Sequence, residues 1–227
     1  VYGQRIQVII DEMASLEELE EKLAERVKAG NPRDNTPVAF AADLTRGQKP
    51  RTYHMKGIKS GKDPRIDTSF TVTWDKDALV FNIRCEEPDM ENLYVTKNIW
   101  SGDSVAILLE TPSHSYYQLE VNPNGRLFDA DRYAGQLNKR WKSMAQVETE
   151  KGENYWKAKV RVPVVSYEEG GGDPNHYVVG PKPSEENPWF FNVGRARFRD
   201  KEVSAYTFSP TGGTYHVLDR FAKLKIR

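Results

Sequence analysis

The sequence has little of several features that usually mark a site. Its 227 residues contain one cysteine, Cys85, which excludes an intramolecular disulfide and any cysteine-cluster zinc or iron–sulfur site. Neither sign of charge dominates, because 33 Lys and Arg residues balance 33 Asp and Glu residues. That balance argues against nucleic acid as a partner, since nucleic-acid binders normally carry a basic domain. No apolar run approaches the ~20 residues of a membrane-spanning helix, so we expect no membrane insertion.

Catalytic signatures are also missing. The four histidines lie far apart and outside known metal-binding spacings: His54, His114, His176 and His216. The sequence has no nucleophile elbow, phosphate-binding loop or dinucleotide fingerprint. Glu110 with Glu120, or Asp129 with Asp131, could in principle form a glycosidase pair, but so many acids give such pairs by chance. We therefore expect that the chain itself is not an enzyme.

Within residues 1–36, the segment from Asp11 to Ala29 has the period of a helix. Leu16, Leu19, Leu23 and Val27 fall on one face at spacings of three and four, and Ser15 begins a capping box. An isolated helix of this length is marginal in water, so the stripe either packs on the following domain or connects two domains. We interpret 1–36 as a helical connector, and the start at a valine suggests a processed chain or an excised fragment.

Residues 37–227 have a period of two instead. Apolar side chains alternate with polar ones in many short segments, each bounded by turn residues. Five such apolar faces are Phe70, Val72 and Trp74; Leu79, Phe81, Ile83 and Cys85; Val105, Ile107 and Leu109; Tyr117, Leu119 and Val121; and Trp156, Ala158, Val160 and Val162. Strands with one apolar face each pack as two sheets. The predicted fold is all-β: a two-sheet antiparallel, jelly-roll-like β-sandwich with an N-terminal helical segment.

Two acidic residues suggest a metal site. Asp129 and Asp131 flank Ala130, so their carboxylates point the same way in an extended chain. Carboxylates presented in this way can ligate Ca²⁺, which takes six to eight oxygens. The alternative is a solvated turn without metal. No other cofactor is expected.

Several segments, taken in order, carry a resemblance. They read WDKDALVFNIRCEEPD, IWSGDSVAILLE, YYQLEVNPNGRLFDAD, YWKAKVRVP, WFFNVGRARF, VSAYTF and TYHVLDRFAKLKI. From about Asp67 to Ile226 the chain resembles the family 9 carbohydrate-binding modules. The resemblance implies a non-catalytic, secreted β-sandwich that binds an oligo- or polysaccharide and often holds structural Ca²⁺. It also implies an extracellular, periplasmic or cell-surface location and a covalently linked catalytic domain upstream that degrades polysaccharides.

The resemblance further implies where a sugar binds. Members of this family hold the end of a glycan in a slot between two aromatic rings, and the matching positions are Trp100 and Tyr215. A pyranose packs its C–H face on a ring, while its hydroxyl rim needs hydrogen-bonding side chains. The polar face of one strand offers Gln118, Glu120 and Asn122 for that purpose.

Other positions refine or alter this expectation. Arg84 lies on the equivalent face of a strand that we expect nearby. Two residues depart from the family pattern, since Ala106 stands where members often have Glu, and Glu120 replaces a basic residue. Both departures change the hydrogen-bonding half of the slot. A structural alternative is that Trp100 and Tyr215 are aromatics at the edge of the core.

Alternatives to glycan binding stay open. Related sandwiches hold haem between Met and His ligands, so Met90 and one of the histidines would suit an electron-transfer domain. The chain could also be a structural spacer that orients the catalytic domain of a glycoside hydrolase. A glycosidase in its own right is the least favoured, because no acid pair is identifiable.

Overall fold

The structure is a computed structural model, and it describes residues 15–16, 18–21, 32–133, 136–166, 175–200 and 202–226. The chain divides into two compact units, Val1–Asn35 and Thr36–Arg227. In the described part of the chain, no helix combines the length and hydrophobicity needed to cross a membrane.

The first unit contains helical residues, as the helical spacing of its apolar side chains predicts. Residues 15–16 and 18–21 are helical, and Pro32–Asn35 forms a 3-10 helix. Leu16 and Leu19, two members of the predicted apolar stripe, are 58% and 67% exposed. The other two members, Leu23 and Val27, lie outside the described residues. The role of this unit as a connector stays a prediction.

The second unit is built from strands. They are β1 (Val38–Asp43), β2 (Tyr53–His54), β3 (Lys56–Gly57), β4 (Thr68–Asp75), β5 (Ala78–Glu86), β6 (Ser104–Thr111), β7 (His114–Val121), β8 (Leu127–Asp131), β9 (Gln146–Lys151), β10 (Tyr155–Val165), β11 (Val178–Val179), β12 (Trp189–Arg199), β13 (Glu202–Thr207) and β14 (Ala222–Ile226). Short 3-10 helices occupy Leu44–Arg46, Met90–Asn92, Ile99–Ser101 and Leu218–Arg220.

The strands form one curled, mixed sheet. Its main path runs β11-β10-β5-β4-β1-β14-β12-β6-β7-β8. We call β14, β12, β6, β7 and β8, with β13 and β3, the β6–β7 half. The β5–β10 half comprises β4, β5, β10, β9, β11 and β2. Strand β1 joins the halves, because it pairs in parallel with both β14 and β4.

The all-β prediction is confirmed, whereas the predicted pair of separate antiparallel sheets is not. Most neighbours are antiparallel, but β1 pairs in parallel on both sides and so continues one half into the other. Period-two patterns fix which face of a strand is buried, yet they carry no information on partners or direction. The sequence therefore had no signal for this joining strand.

The core lies between the inner faces of the two halves. Phe191 of β12 meets Phe70 of β4 and Phe81 of β5, with ring centroids 6.2 Å and 6.3 Å apart. All five predicted apolar faces are buried. Cys85 is among these residues, and burial raises the pKa of its thiol to about 12. This cysteine is a core residue rather than a nucleophile.

Candidate functional site

The candidate site lies on the outer face of the β6–β7 half. Strand pairing places four residues in one row across it, because Gly194 pairs with Ala106, Ala106 with Glu120, and Glu120 with Phe128. Neighbouring strands lie about 4.8 Å apart, so Gly194 and Glu120 are roughly 9.6 Å apart. The row contains no bulky side chain at its first two positions. Large rings from flanking loops therefore have room to lie on it.

Trp100 covers one end of this row. It lies in the 3-10 helix Ile99–Ser101 and is 38% exposed. Its ring meets Phe128 edge-to-face, with centroids 4.6 Å apart and an interplanar angle of 72°. The ammonium of Lys139 lies 5.4 Å from the centroid of the indole. Trp100 is thus an exposed ring with a fixed edge, the arrangement that a stacking platform needs.

The loop that carries Trp100 is closed at its base. The Asp103 carboxylate accepts hydrogen bonds from the Tyr94 and Phe198 amides and from Arg199. The Asp103 amide in turn donates to the Tyr94 carbonyl at 2.7 Å. A Cβ at Gly102 would lie 2.6 Å from that carbonyl oxygen, so only glycine fits there. These contacts hold both ends of the loop together.

A buried ion network supports this loop base from below. Glu87, which follows β5, accepts from Arg195 at 3.0 Å and from Arg197 at 2.8 Å, and it forms an ion pair with Arg199 at 2.7 Å. Arg195 also donates to Thr68 on β4. Contacts with the arginines keep the pKa of Glu87 below its usual value, although burial acts in the opposite direction. The network therefore ties β12 to the β5–β10 half directly beneath the Trp100 loop.

Tyr215 covers the other end of the row. Its ring lies so close to Gly194 that a Cβ there would be 2.5 Å from a ring carbon. The hydroxyl donates to the Arg195 carbonyl at 2.6 Å, and burial raises the pKa of this phenol well above its usual value. Tyr215 is thus half-buried and held flat against the sheet, which requires glycine at position 194.

The loop around Tyr215 closes this side of the face. Leu108, Tyr116 and Phe221 form a small buried cluster on the outer side of the sheet, and Tyr215 and Leu218 pack against it. Leu108 and Tyr116 lie two and four residues along their strands from Ala106 and Glu120, so this cluster covers the face to one side of the row.

Glu120 lies between the two rings and is 5% exposed. Its carboxylate accepts from the Ser104 hydroxyl at 2.8 Å, from the Gln118 amide at 3.3 Å and from the Trp100 side chain. Burial raises the pKa of Glu120, and these hydrogen bonds only partly offset that effect. Glu120 therefore links Trp100 to the polar side chains of the sheet.

Arg132 is a residue of this site that the sequence analysis missed. It follows β8 and donates through Nε to Gln118 Oε1 at 2.9 Å, while Gln118 donates onward to Glu120. Its charge also acts on Glu120, Tyr116 and His216. Phe128 and Ala130 occupy alternate positions of β8, and Arg132 continues that alternation directly after the strand. The Asn-Pro-Asn-Gly turn before β8 was therefore a signal for the shared face.

The structure brings Trp100, Tyr215, Gln118 and Glu120 together. Asn122 lies on the same strand, but its side-chain oxygen accepts from the Asn124 and Arg126 amides, both at 3.0 Å. These bonds stabilise the turn between β7 and β8. The side-chain carbonyl of Asn122 is therefore already hydrogen-bonded within the turn.

The expected position of Arg84 beside these residues is wrong. Arg84 lies on β5, in the other half, where it pairs with Glu86 and stacks 3.7 Å from the Tyr155 ring centroid. The sequence pattern assigned its face within the strand correctly, but it did not specify which half the strand belongs to.

Asp129 and Asp131 share the inward-facing side of β8, as their spacing predicts. Asp129 accepts from Lys142 at 2.8 Å and from the Ser143 amide at 2.8 Å, and Asp131 lies 2.6 Å from His114 Nε2. Among the described residues no group of three or more acid, His or Cys side chains surrounds a metal position. This donor set does not fit the six to eight oxygens of a calcium site, and Lys142 already supplies a cation.

The haem alternative rested on Met90 and a histidine. Met90 is half-buried and packs against the core. Each histidine ring lies against another side chain: His54 against Asp67, His114 against Asp131, His176 against Tyr177, and His216 against Tyr116. Haem binding stays a hypothesis.

No protein-family model and no curated protein matches the chain. Solved structures do match. One is a family 9 carbohydrate-binding module from Caldicellulosiruptor kristjanssonii in complex with cellotriose, with a TM-score of 0.57, 14% identity, and 83% of this chain and 93% of that chain covered. The same kind of module from that organism, in complex with glucose, has a TM-score of 0.52, 14% identity, and coverage of 77% and 84%.

A third similar structure is a candidate carbohydrate-binding protein from Bacteroides uniformis. Its TM-score is 0.63 at 14% identity, with 85% of this chain and 99% of that chain covered. The resemblance inferred from the sequence is thus confirmed for the fold, which is that of the family 9 carbohydrate-binding modules.

Proposed function

We propose that the chain binds carbohydrate on the outer face of the β6–β7 half, with one sugar ring stacked on Trp100. The observation that carries this proposal is an exposed tryptophan anchored over a buried polar network on an outer sheet face. An outer sheet face is usually either solvated or covered by other elements. A buried polar network beneath an exposed ring therefore favours a ligand that has both an apolar face and hydroxyls.

The chemistry of the site suits a pyranose. Its C–H face packs on the indole, while its hydroxyls meet the guanidinium of Arg132, whose Nε donates to the Gln118 side chain. Glu120 and Gln118 hold the platform and this cation in place. Tyr215 bounds the opposite side of the slot.

We further propose that the ligand is the end of a glycan chain. The cluster of Leu108, Tyr116 and Phe221 supports this proposal, because it covers the face along the strands on one side of the row. Two of the similar structures hold cellotriose and glucose, so cello-oligosaccharides and glucose are the first ligands to try.

The chain is proposed to be an ancillary, non-catalytic module of a larger secreted glycan-active protein. The placement of its acids supports a non-catalytic role. Glu110 lies four residues along from Ala106, the partner of Glu120, which separates the two acids by roughly 13 Å along the strands. Glycosidase pairs lie at most about 9.5 Å apart. Asp129 and Asp131 are each bonded to protein side chains.

Titration of the protein with glucose, cello-oligosaccharides and a panel of plant and bacterial polysaccharides tests the proposal. We expect saturable heat in calorimetry together with a change in tryptophan fluorescence, because Trp100 is exposed and the other four tryptophans are buried. The absence of both heat and a fluorescence change across the whole panel would contradict carbohydrate binding.

A further inference from the structure

A stack of four aromatic rings runs from the core to the surface beside the proposed slot. Trp141 and Tyr117 are buried and stack with centroids 4.7 Å apart, Tyr117 and His114 stack at 4.5 Å, and His114 and Tyr133 at 5.4 Å. The interplanar angles are 23°, 16° and 28°, so the rings are nearly parallel. Tyr133, the outermost ring, is 63% exposed.

This stack gives Tyr133 an unusual setting for a surface side chain. One face of its ring lies on His114, which is itself held by Asp131 at 2.6 Å. Tyr133 donates its own amide to the same carboxylate at 2.9 Å. The ring is therefore backed and oriented before any ligand arrives, so little side-chain entropy is lost when a flat ligand packs on it.

Tyr133 lines a cavity of about 570 Å³. The other lining residues are mostly polar: Asp131, Gln136, Leu137, Asn138, Lys139 and Arg140. Asn138 exchanges two backbone hydrogen bonds with Asp131, and its side chain accepts from the Arg140 amide at 3.0 Å. The segment that carries Asn138 and Arg140 is therefore hydrogen-bonded to the edge of β8.

Two cations in this lining have no acidic partner among the described residues. Lys139 and Arg140 are exposed, and neither forms an ion pair with an acid that the structure describes, whereas Asp131 is already bonded to His114 and to the Tyr133 amide. The lining therefore carries a net positive charge that is free to meet an anionic ligand. Lys139 also reaches the ring of Trp100, at 5.4 Å from its centroid. The cavity and the slot are consequently adjacent.

We propose that Tyr133, Lys139 and Arg140 form a second sugar subsite, which takes a ring carrying a carboxylate from a glycan whose end lies on Trp100. A uronic acid residue has the required chemistry: a pyranose face for Tyr133 and an anion for the two cations. This subsite rests on the proposed function, because Trp100 supplies the first subsite. It would make the protein selective for acidic glycans of two or more residues.

The test compares three ligands: glucose, cellotriose, and cellotriose carrying one C6 carboxylate in a terminal ring. We expect the wild-type protein to bind the acidic trisaccharide about tenfold more tightly than the neutral one at low salt. Tyr133→Ala should weaken both trisaccharides about tenfold and leave glucose unchanged, whereas Tyr133→Phe, which keeps the ring, should bind all three as before. The double variant Lys139→Gln/Arg140→Gln should lose the preference for the acidic trisaccharide.

A matched control carries the same change of charge on the other half of the sheet. In Lys157→Gln/Lys159→Gln the preference for the acidic trisaccharide should persist. The subsite is wrong if Tyr133→Ala binds both trisaccharides like the wild type, or if the preference survives in Lys139→Gln/Arg140→Gln. Either result leaves glucose binding intact, so it is distinguishable from failure of the proposed function, in which wild-type protein binds neither glucose nor any trisaccharide.

Discussion

The two outer faces of the sheet are built from similar sequence patterns and differ in burial. On β7 the outward residues Gln118 and Glu120 are almost completely buried and hydrogen-bonded to each other. On β10 the outward residues Lys157 and Lys159 are partly exposed, and they pair with Glu150 and Glu148 of β9. One face is covered by loops that bring aromatic rings, while the other is a solvated ladder of charges.

The difference separates a candidate binding face from a solvated one. Burying a polar group costs free energy unless the group is hydrogen-bonded. A buried polar network on an outward face therefore needs neighbouring side chains that satisfy its hydrogen bonds. The β5–β10 half also has a cavity, of about 550 Å³, but its charged lining forms exposed ion pairs that contribute little. Cavity volume alone does not identify the site.

The largest effect is expected at Trp100. Trp100→Ala should abolish measurable glycan binding, a loss of at least thirtyfold, because removing a central aromatic commonly costs about 2 kcal/mol or more. The melting temperature should change little, since the ring is partly exposed. Calorimetric titration measures the loss. Tyr155→Ala, which removes a ring from the opposite outer face, is the matched control and should bind normally.

Gly194→Ala tests whether Tyr215 bounds the slot. The new methyl would lie 2.5 Å from the tyrosine ring, so the ring must move away from the sheet. Overpacking of this kind costs about 1–3 kcal/mol, and we expect weaker glycan binding together with a lower melting temperature. Tyr215→Phe separates the two contributions, because it keeps the ring and removes the bond to the Arg195 carbonyl. Unchanged glycan binding in Gly194→Ala would show that Tyr215 does not bound the slot.

Glu120→Gln should have a smaller effect on affinity and a characteristic dependence on pH. Gln still accepts from Ser104 and Trp100, but its amide faces the Gln118 amide, so one hydrogen bond worth about 1 kcal/mol is lost. We expect a several-fold loss of affinity and an altered preference among sugars.

The pH dependence follows from the raised pKa of Glu120. A group with a raised pKa contributes its full stability below its usual pKa and loses it as the pH rises through the folded-state value. The melting temperature of the wild type minus that of Glu120→Gln should therefore be largest near pH 4 and decrease towards pH 8. A difference that grows with pH would mean that the carboxylate is stabilised as an anion.

The smallest effect is expected on the charged face. Lys157→Ala/Lys159→Ala breaks two exposed ion pairs, each worth about 0–1 kcal/mol, so the melting temperature should change by a few degrees at most. Binding of neutral glycans should not change. A large loss of affinity in this variant would relocate the site to the β5–β10 half.

The sequence predicted what depends on local pattern. Alternation identified the buried face of β4, β5, β6, β7 and β10, and the resemblance placed Trp100 and Tyr215 at two ends of one face. Arg84 was misplaced because strand order depends on contacts that are distant in the chain. Arg132 was missed although the turn before β8 favours a hairpin, which would have put it beside Gln118.

The most direct test of the central claim is a two-dimensional ¹H–¹⁵N spectrum of the five tryptophan indole N–H groups during titration with glucose and cellotriose. Trp74, Trp141, Trp156 and Trp189 are buried in the core, whereas Trp100 lies at the proposed slot with its side chain bonded to Glu120. We predict that the Trp100 signal, assigned by its absence in Trp100→Phe, shifts saturably while the other four stay in place. Saturable glycan binding that leaves the Trp100 signal unmoved would contradict the proposed site.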